Sequence, residues 1–473
     1  VIYREKVFMS PCYQECMQKV LQKAADLLTK NRKEEVLIVS HLDADGIAAA
    51  SILSKALDRE GIAHQVTCIK LDQLPDIEPA SLTIFSDLGS GQVTQLSHVK
   101  TPVIILDHHP PVACDCSHVV HVNPHLYNYD GSSEISGAGV SYLFAKTLSS
   151  YNTDLSPVAV VGACGDMQNF GKLTGLNRKI LKEGESIGLI EYKDDLLLYG
   201  RYTRPLFKSL QYFSDPYIPG ITGDEYACKA LLNQLHINKG SDHWVTLSHL
   251  SMEEKRVLAT ELVKRSLRYA PPDLQKYIPQ MIIGESYTLP KEEDISPLRD
   301  CTEFATCFNA CGRQKRPEVG IEVAKGNRGI YYEMLLTLLQ EHRASIAKSL
   351  ELMADKPIVR KGLIQVMDAS GVSDTIVGTV AMMLLGQNGV DPYMPLLVHT
   401  PSDRTPSIYK VSMRCSRLLL YRKINLGKAV RKAASLAQGE GGGHAPACGA
   451  YIPEENLESF ITTVAALVSQ QVQ

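Results

Sequence analysis

Ser40-His41-Leu42-Asp43-Ala44-Asp45-Gly46 follows the apolar run Glu35-Val36-Leu37-Ile38-Val39 and precedes Ile47-Ala48-Ala49-Ala50-Ser51-Ile52-Leu53. The first flank reads as a buried strand, the second as the opening turns of a helix. One histidine and two aspartates therefore leave the carboxyl end of a strand together. In open α/β sheets that is where ligands bind. Three such side chains within five residues are costly to pack unless a cation neutralises them. A solvated loop with a helix cap at Asp45 accommodates the same residues, so the rest of the chain must decide.

The pattern repeats. Val66-Thr67-Cys68-Ile69 is a second strand candidate, and Leu82-Thr83-Ile84-Phe85-Ser86 is a third, ending at Asp87. Val103-Ile104-Ile105-Leu106 is a fourth and runs into Asp107-His108-His109-Pro110-Pro111. Turns favour aspartate, but two histidines after Asp107 and His-x-Asp-x-Asp-Gly after another strand exceed that preference. Ser136 to Ser149 reads as a helix behind Gly137 and Gly139. Pro157 to Gly165 is a segment of small residues that presents Asp166 and allows close backbone approach. Strands alternating with helices indicate a parallel sheet with crossovers.

Ahead of this region, residues 1–34 read as a lead-in and then an amphipathic helix carrying Cys16, Val20, Ala24, Leu27 and Leu28. Behind it, residues 191–328 lose the rhythm. Prolines at 205, 216, 219, 271, 272, 279 and 290 punctuate helical pieces such as Glu253 to Tyr269, with no catalytic constellation. A connector helix is expected from Gly329 to Met353. A smaller α/β domain follows, with strand-like pieces at 358–359, 362–366, 395–398 and 408–411 and a helix at 374–385. The expected organisation is thus 1–190, a helical insertion at 191–328, and 329–473. The last part contains Arg404, Lys410, Arg414, Arg417, Arg422, Lys423, Lys428, Arg431 and Lys432, then Gly441-Gly442-Gly443-His444. A glycine-rich turn exposing backbone N–H groups beside such cations suits a phosphate.

With 473 residues, 44% hydrophobic, 21% charged and a net charge of −3, the chain reads as an ordinary globular protein of several domains. No apolar run is long enough for a membrane helix, and the cytoplasm is the expected compartment. The small negative charge excludes a uniformly basic coat, so nucleic acid would be bound through a local basic surface. Cys301, Cys307 and Cys311 lack C-x-x-C spacing, which leaves reduced, mostly buried thiols as the expectation over a structural zinc site.

His41, Asp43, Asp45, Asp87, Asp107, His108 and Asp166 form a carboxylate-rich set without thiolate. Such a set suits two divalent cations about 3.5–4 Å apart, with Mn²⁺ preferred and Mg²⁺ as substitute. That arrangement serves hydrolysis of a phosphoester.

These residues carry a resemblance. The chain resembles the DHH phosphoesterase superfamily, and within it the archaeal RecJ-like single-strand exonucleases of the GINS-associated type. The N-terminal motifs stand as His41-Leu42-Asp43-Ala44-Asp45-Gly46, Asp87, Asp107-His108-His109 and Gly165-Asp166; the C-terminal ones as Ser412-Met413-Arg414 and Gly442-Gly443-His444. The resemblance spans residues 36–170 and 358–451. It implies a bilobal α/β protein, with a parallel-sheet DHH domain, a DHH-associated domain and the active site between the lobes. His41, Asp43 and Asp87 would hold one metal, and Asp45, Asp87, His108 and Asp166 the other. Asp107 would orient the histidines, and His109 would touch the scissile phosphate or protonate the leaving oxygen. Ser412, Arg414, Gly442, Gly443 and His444 would bind the substrate strand. It further implies a role in DNA replication or repair and association with the GINS complex, for which 191–328 is the free docking region. Two other readings stay open here: a phosphodiesterase on short oligonucleotides, cyclic dinucleotides or pyrophosphate, and a replication-helicase scaffold without catalysis.

Overall fold

The computed structural model describes residues 11–96, 99–113, 116–237, 245–387 and 389–472. The lead-in expected at the start of the chain lies outside them. The chain forms two compact units, Val1–Lys193 with Glu285–Gln340, and Asp194–Gly284 with Glu341–Gln473.

In the first unit, helix α1 (Pro11–Lys30) leads to strand β1 (Val36–His41), helix α2 (Ala44–Arg59) and strand β2 (His64–Ile69). Strands β3 (Leu82–Ser86), β4 (Val103–Leu106) and β5 (Val119–Val122) complete a sheet of order β2-β1-β3-β4-β5. Every neighbouring pair is parallel. β5 is an addition to the strands expected from the sequence, its apolar signal diluted by the partly exposed Val119 and His121. β3 and β4 are buried at every position, as strands covered on both faces require. Helices α3 (Gly137–Leu148), α4 (Ser156–Gly165) and α5 (Gly175–Ser186) follow. The alanines of α2 (44, 48, 49, 50 and 56) are buried among Ala138, Ala159 and Ala163. Side chains this small let three helix backbones approach closely beneath the ends of the strands.

Strand β6 (Glu191–Leu196) leaves the first unit, and the second receives helices α6 (Leu206–Gln211), α7 (Glu225–Gln234), α8 (Met252–Tyr269) and α9 (Ile278–Ile282). α8 starts on a capping box in which Ser251 and Glu254 exchange hydrogen bonds. Strand β7 (Ile283–Thr288), paired with β6, brings the chain back. Helices α10 (Cys301–Arg313) and α11 (Pro317–Ala324), grouped by sequence with the middle region, therefore pack in the first unit, against α2 and α4.

The long helix α12 (Ile330–Met353) opens the second sheet. Its strands are β8 (Val359–Lys361), β9 (Ile364–Asp368), β10 (Leu396–Pro401), β11 (Ile408–Arg414), β12 (Glu440–Gly443) and β13 (Ala447–Pro453), in the order β12-β13-β11-β10-β9-β8. Helix α13 (Val377–Leu384) lies between β9 and β10 in sequence, α14 (Leu426–Leu436) before β12, and α15 (Leu457–Val472) after β13. The class expected from the sequence is the class found: α/β, with a parallel sheet first, helices in the middle and a second, six-stranded sheet last. The glycine run differs as well. Gly441-Gly442-Gly443, read as a turn, is an edge strand paired with Ala450, Gly449 and Cys448, because a strand without side chains fits close to α14.

Candidate metal centre

Parallel strands of similar length end together, so β1, β3 and β4 deliver His41, Asp87 and Asp107-His108-His109 to one edge of the sheet. Asp43 caps α2 by accepting from the Gly46 N–H, 3.0 Å away. Asp45, in the first turn of α2, has its carboxylate at the start of α3, where it accepts from Gly137 N (2.6 Å) and Ala138 N (3.1 Å). The N-terminus of α3 thus meets a negative charge, as its dipole favours. Asp87 follows β3 with φ 59°, a left-handed backbone that non-glycine residues occupy at a cost. A Cβ on Gly137 would stand 2.6 Å from both Cβ and Oδ1 of Asp87, so only glycine admits that carboxylate.

These elements form overlapping groups of side chains with ligand atoms within 4.8 Å: His41, Asp43 and Asp87; Asp45, His108 and Asp166; and Asp87, Asp107, His108 and His109. His41 Nδ1 lies 2.7 Å from Asp43 Oδ2 and 3.7 Å from Asp87 Oδ2. His108 Nε2 lies 3.1 Å from Asp87 Oδ1, 3.7 Å from Asp45 Oδ2 and 3.9 Å from Asp166 Oδ2. Its Nδ1 donates to the Gly131 carbonyl at 2.6 Å, which fixes the tautomer and leaves Nε2 its lone pair. Asp87 is 2% exposed, yet neither of its carboxylate oxygens receives a hydrogen bond. Buried carboxylates ordinarily do, so this one is built for a cation.

Asp107 is different in kind. Its oxygens accept from the backbone N–H groups of Ser90 (2.9 Å), His108 (2.7 Å) and His109 (3.1 Å), and its Oδ1 lies 2.8 Å from His109 Nδ1. It holds the histidines. His109 itself is 39% exposed at its side chain and reaches the surface.

Electrostatics follow from burial. Burial, then the nearby Asp166 and Asp43, pushes the Asp45 carboxyl up to about 6, against the pull of His108. Burial with Asp45 and Asp43 raises Asp87 well above the carboxylate range. Burial also opposes charge on Asp43 and Asp107, but the His41 imidazole and Gly46 N–H hold Asp43 low, and His109 and His108 hold Asp107 low. A divalent cation entering beside Asp87 and Asp45 would therefore displace protons.

Two contributors escaped the sequence reading. Gln168 Nε2 donates to Asp166 Oδ2 at 2.7 Å, while Gln168 Oε1 accepts from Asn177 Nδ2 at 2.7 Å. The buried amide holds the carboxylate of Asp166, whose backbone N–H closes α4 on the Gly162 carbonyl. Its proximity to Asp166 was the available signal. Replacing Gln168 by methionine keeps the volume and removes the donor. We expect Mn²⁺ affinity, followed by calorimetric titration, to fall about 10- to 100-fold; unaltered affinity would discard this role. Arg313 ends α10 and adds positive charge at His41 and Asp43. The preceding Gly312 packs so near the Leu42 carbonyl that a Cβ would lie 2.6 Å from it. No local pattern marks a residue about 270 positions downstream of the loop it faces. Cys301, Cys307 and Cys311 sit in the apolar core, and burial pushes the Cys311 thiol up to about 12. Among the described residues no metal-holding group includes them. Cys116 is disulfide-bonded.

The other expected residues lie in the second unit. Ser412 and Arg414 stand on β11, and Arg414 Nη1 donates to the Met413 and Cys448 carbonyls, both at 2.9 Å. Gly442 pairs with Gly449 on β13, and a Cβ there would stand 3.7 Å from Arg431 Nη2. Gly443 has φ 123°, and the His444 N–H donates to the Ala447 carbonyl at 2.9 Å.

Three family models match the chain: the DHH family N-terminal domain over residues 35–163, the DHH-CID domain over 198–278 and the DHHA1 domain over 360–470. The uncharacterized protein MJ0831 of Methanocaldococcus jannaschii is 28% identical over 469 residues, covering 95% of this chain and 99% of that protein. Among solved structures, CDC45 from Entamoeba histolytica superposes with a TM-score of 0.61 at 13% identity, covering 96% of this chain and 99% of that one. RecJ from Thermus thermophilus, in complex with Mn²⁺, gives a TM-score of 0.58 at 17% identity. That match covers 96% of this chain and 55% of RecJ, so the chain spans about half of RecJ's length. No helix among the described residues is long and apolar enough to cross a membrane.

Proposed function

The chain belongs to the DHH superfamily, with DHH, DHH-CID and DHHA1 domains in that order, and from this premise we propose that it is a metal-dependent exonuclease acting on single-stranded DNA. The observation that carries the reading is Asp87, a buried carboxylate without a hydrogen bond, ringed by the nitrogen and oxygen ligands of both flanking groups. Its surroundings fit hard divalent cations, Mn²⁺ before Mg²⁺. His41, Asp43 and Asp87 would hold one; Asp45, Asp87, His108 and Asp166 would hold a second. Bound there, such ions supply Lewis acidity toward phosphate oxygens and lower the pKa of a bound water.

The chain's own groups do the rest. Asp107 fixes His109 through Nδ1, which leaves Nε2 to hold the proton that the leaving oxygen takes. Arg313 offers positive charge to the scissile phosphate. Ser412, Arg414 and His444, with the glycine backbone at 442–443, grip phosphates near the strand end, which makes the cut terminal. A scaffold without catalysis has no use for this ligand set; the likeness to CDC45 is one of fold. The setting we propose is DNA replication or repair in the cytoplasm, with the GINS complex docking within residues 191–328.

End-labelled single-stranded DNA, incubated with Mn²⁺ or with a chelator and in parallel with the same strand of RNA, tests this. We expect release of mononucleotides with Mn²⁺ and none with chelator. An intact DNA strand in Mn²⁺, or cleavage that persists in chelator, defeats the reading.

A further inference from the structure

Directly opposed residues of an antiparallel pair share a face of the sheet. The β11–β13 register pairs Lys410 with Tyr451, Ser412 with Gly449 and Arg414 with Ala447. The edge strand β12 adds Glu440 opposite Tyr451 and Gly442 opposite Gly449. One face therefore carries Lys410, Ser412 and Arg414 in a row, with Tyr451 and two glycines alongside. The other face is Val411, Met413, Cys448, Ala450 and Ile452, all buried. α14 covers it so closely that a Cβ on Gly441 would lie 3.0 Å from Ala434 Cβ.

The first face is covered only in part. Val377, Val380, Ala381 and Leu384 of α13 pack on Leu396 and Val398 of β10. The helix reaches as far as β11 at Gly378, where a Cβ would stand 2.5 Å from Arg414 Nη2 and 3.4 Å from Ser412 Oγ. Beyond that line Lys410, Gly442, Gly449 and Tyr451 are partly exposed. The result is a strip floored by glycine backbone, with Ser412 and Arg414 at one end. At the other, Lys410 Nζ lies 4.2 Å from the centroid of the Tyr451 ring and 3.2 Å from where a Gly449 Cβ would stand. Neighbouring positions on one face of a strand are about 6.8 Å apart, on the order of one nucleotide step in an extended chain. The strip's charged groups are Arg414, Lys410 and the adjacent Arg431 against Glu440, an excess of cations.

We propose that Tyr451 and Lys410 form a subsite for the nucleotide adjoining the one gripped by Ser412 and Arg414. The Tyr451 ring stacks on its base and the Lys410 ammonium pairs with its phosphate. This rests on the strand-hydrolase reading and adds to it where the second base goes. Lys410 Nζ sits over one face of the Tyr451 ring, so the base stacks on the other; stacking takes any base, and the subsite fixes the strand's path without reading its sequence.

The test is equilibrium binding of short single-stranded DNA to the full chain in chelator, with one abasic nucleotide moved along from the end. We expect the unaltered chain to lose roughly 5- to 100-fold in affinity at a single interior position. Tyr451→Leu should lose the same factor with intact DNA and become indifferent to the abasic position, while Tyr451→Phe retains parental behaviour. Lys410→Gln should lower the slope of log K against log salt by about 0.7. A flat abasic profile in the unaltered chain, or parental binding by Tyr451→Leu, overturns the subsite and leaves an ordinary cross-strand pair. An unaltered chain that binds no strand at all overturns the strand-hydrolase reading along with it.

Discussion

Asp87→Ala is expected to bind single-stranded DNA and not to cut it. The side chain contributes to both flanking groups of ligands, with His41 Nδ1 3.7 Å from one of its oxygens and His108 Nε2 3.1 Å from the other. Its removal would take a ligand from both proposed cation positions at once, so loss of at least about 1,000-fold in hydrolysis is expected, more than removal of one transition-state donor typically costs. Binding should persist within a few-fold, because Ser412, Arg414 and the glycine strip belong to the second unit. A second readout separates this from misfolding. In the unaltered chain Mn²⁺ should raise the melting temperature, since it binds the folded state alone. In the variant that rise should vanish, while the chelated protein melts no lower than its parent, an uncompensated buried carboxylate having been removed. Denaturing gels, strand anisotropy and melting curves with and without Mn²⁺ decide it. Near-parental cutting by the variant excludes the shared-ligand assignment.

Gly162→Ala should be nearly as damaging, against the sign that helix propensity suggests. Alanine at an interior helix position is favoured over glycine by about 1 kcal/mol. At residue 162 in α4, however, its Cβ would stand 2.4 Å from Ala138 Cβ and 2.5 Å from Asp45 Oδ1. Overpacking of a dense core costs about 1–3 kcal/mol, and the neighbours here are α3 and a buried carboxylate already held by the α3 N-terminus. Relief comes most readily by moving Asp45. The expected outcome is a melting temperature several degrees lower and hydrolysis reduced by about 100-fold or more, both measured on the purified variant. Unchanged or raised stability with full activity would show that α3 and α4 can spread, contrary to the close packing described for α2, α3 and α4.

The centre was legible where chemistry and strand ends coincide. His-x-Asp-x-Asp-Gly and Asp-His-His announce themselves because acids and imidazoles crowd the ends of apolar runs, and crowding of that kind needs a cause. The roles within the cluster were less legible. Nothing local separates Asp87, left without hydrogen bonds, from Asp107, saturated by three backbone N–H groups and an imidazole; that depends on how the loops fold back. Asp166 stands, as expected, just after a tight segment of small residues, which forms the helix α4. The glycine run reads as a turn because glycine favours turns, whereas here it lets α14 and a facing strand approach a sheet edge. Arg313 and the return of 285–340 to the first unit depend on contacts far apart in sequence, which periodicity does not report.

That return sets an order of events during synthesis. Asp166 leaves the ribosome well before α10, whose Gly312 closes on the Leu42 carbonyl and whose Arg313 faces the loop. At about 5–20 residues per second, roughly 7–30 s pass between them. Through that interval the nascent chain holds its acids with one wall missing, while residues 194–284 emerge and await a C-terminal half still untranslated. Neither unit is a contiguous piece of the gene. A clean cut anywhere within residues 194–284 therefore leaves both cores incomplete, and the wall that Gly312 and Arg313 give the metal centre arrives only when a helix encoded past the middle of the message docks back onto its beginning.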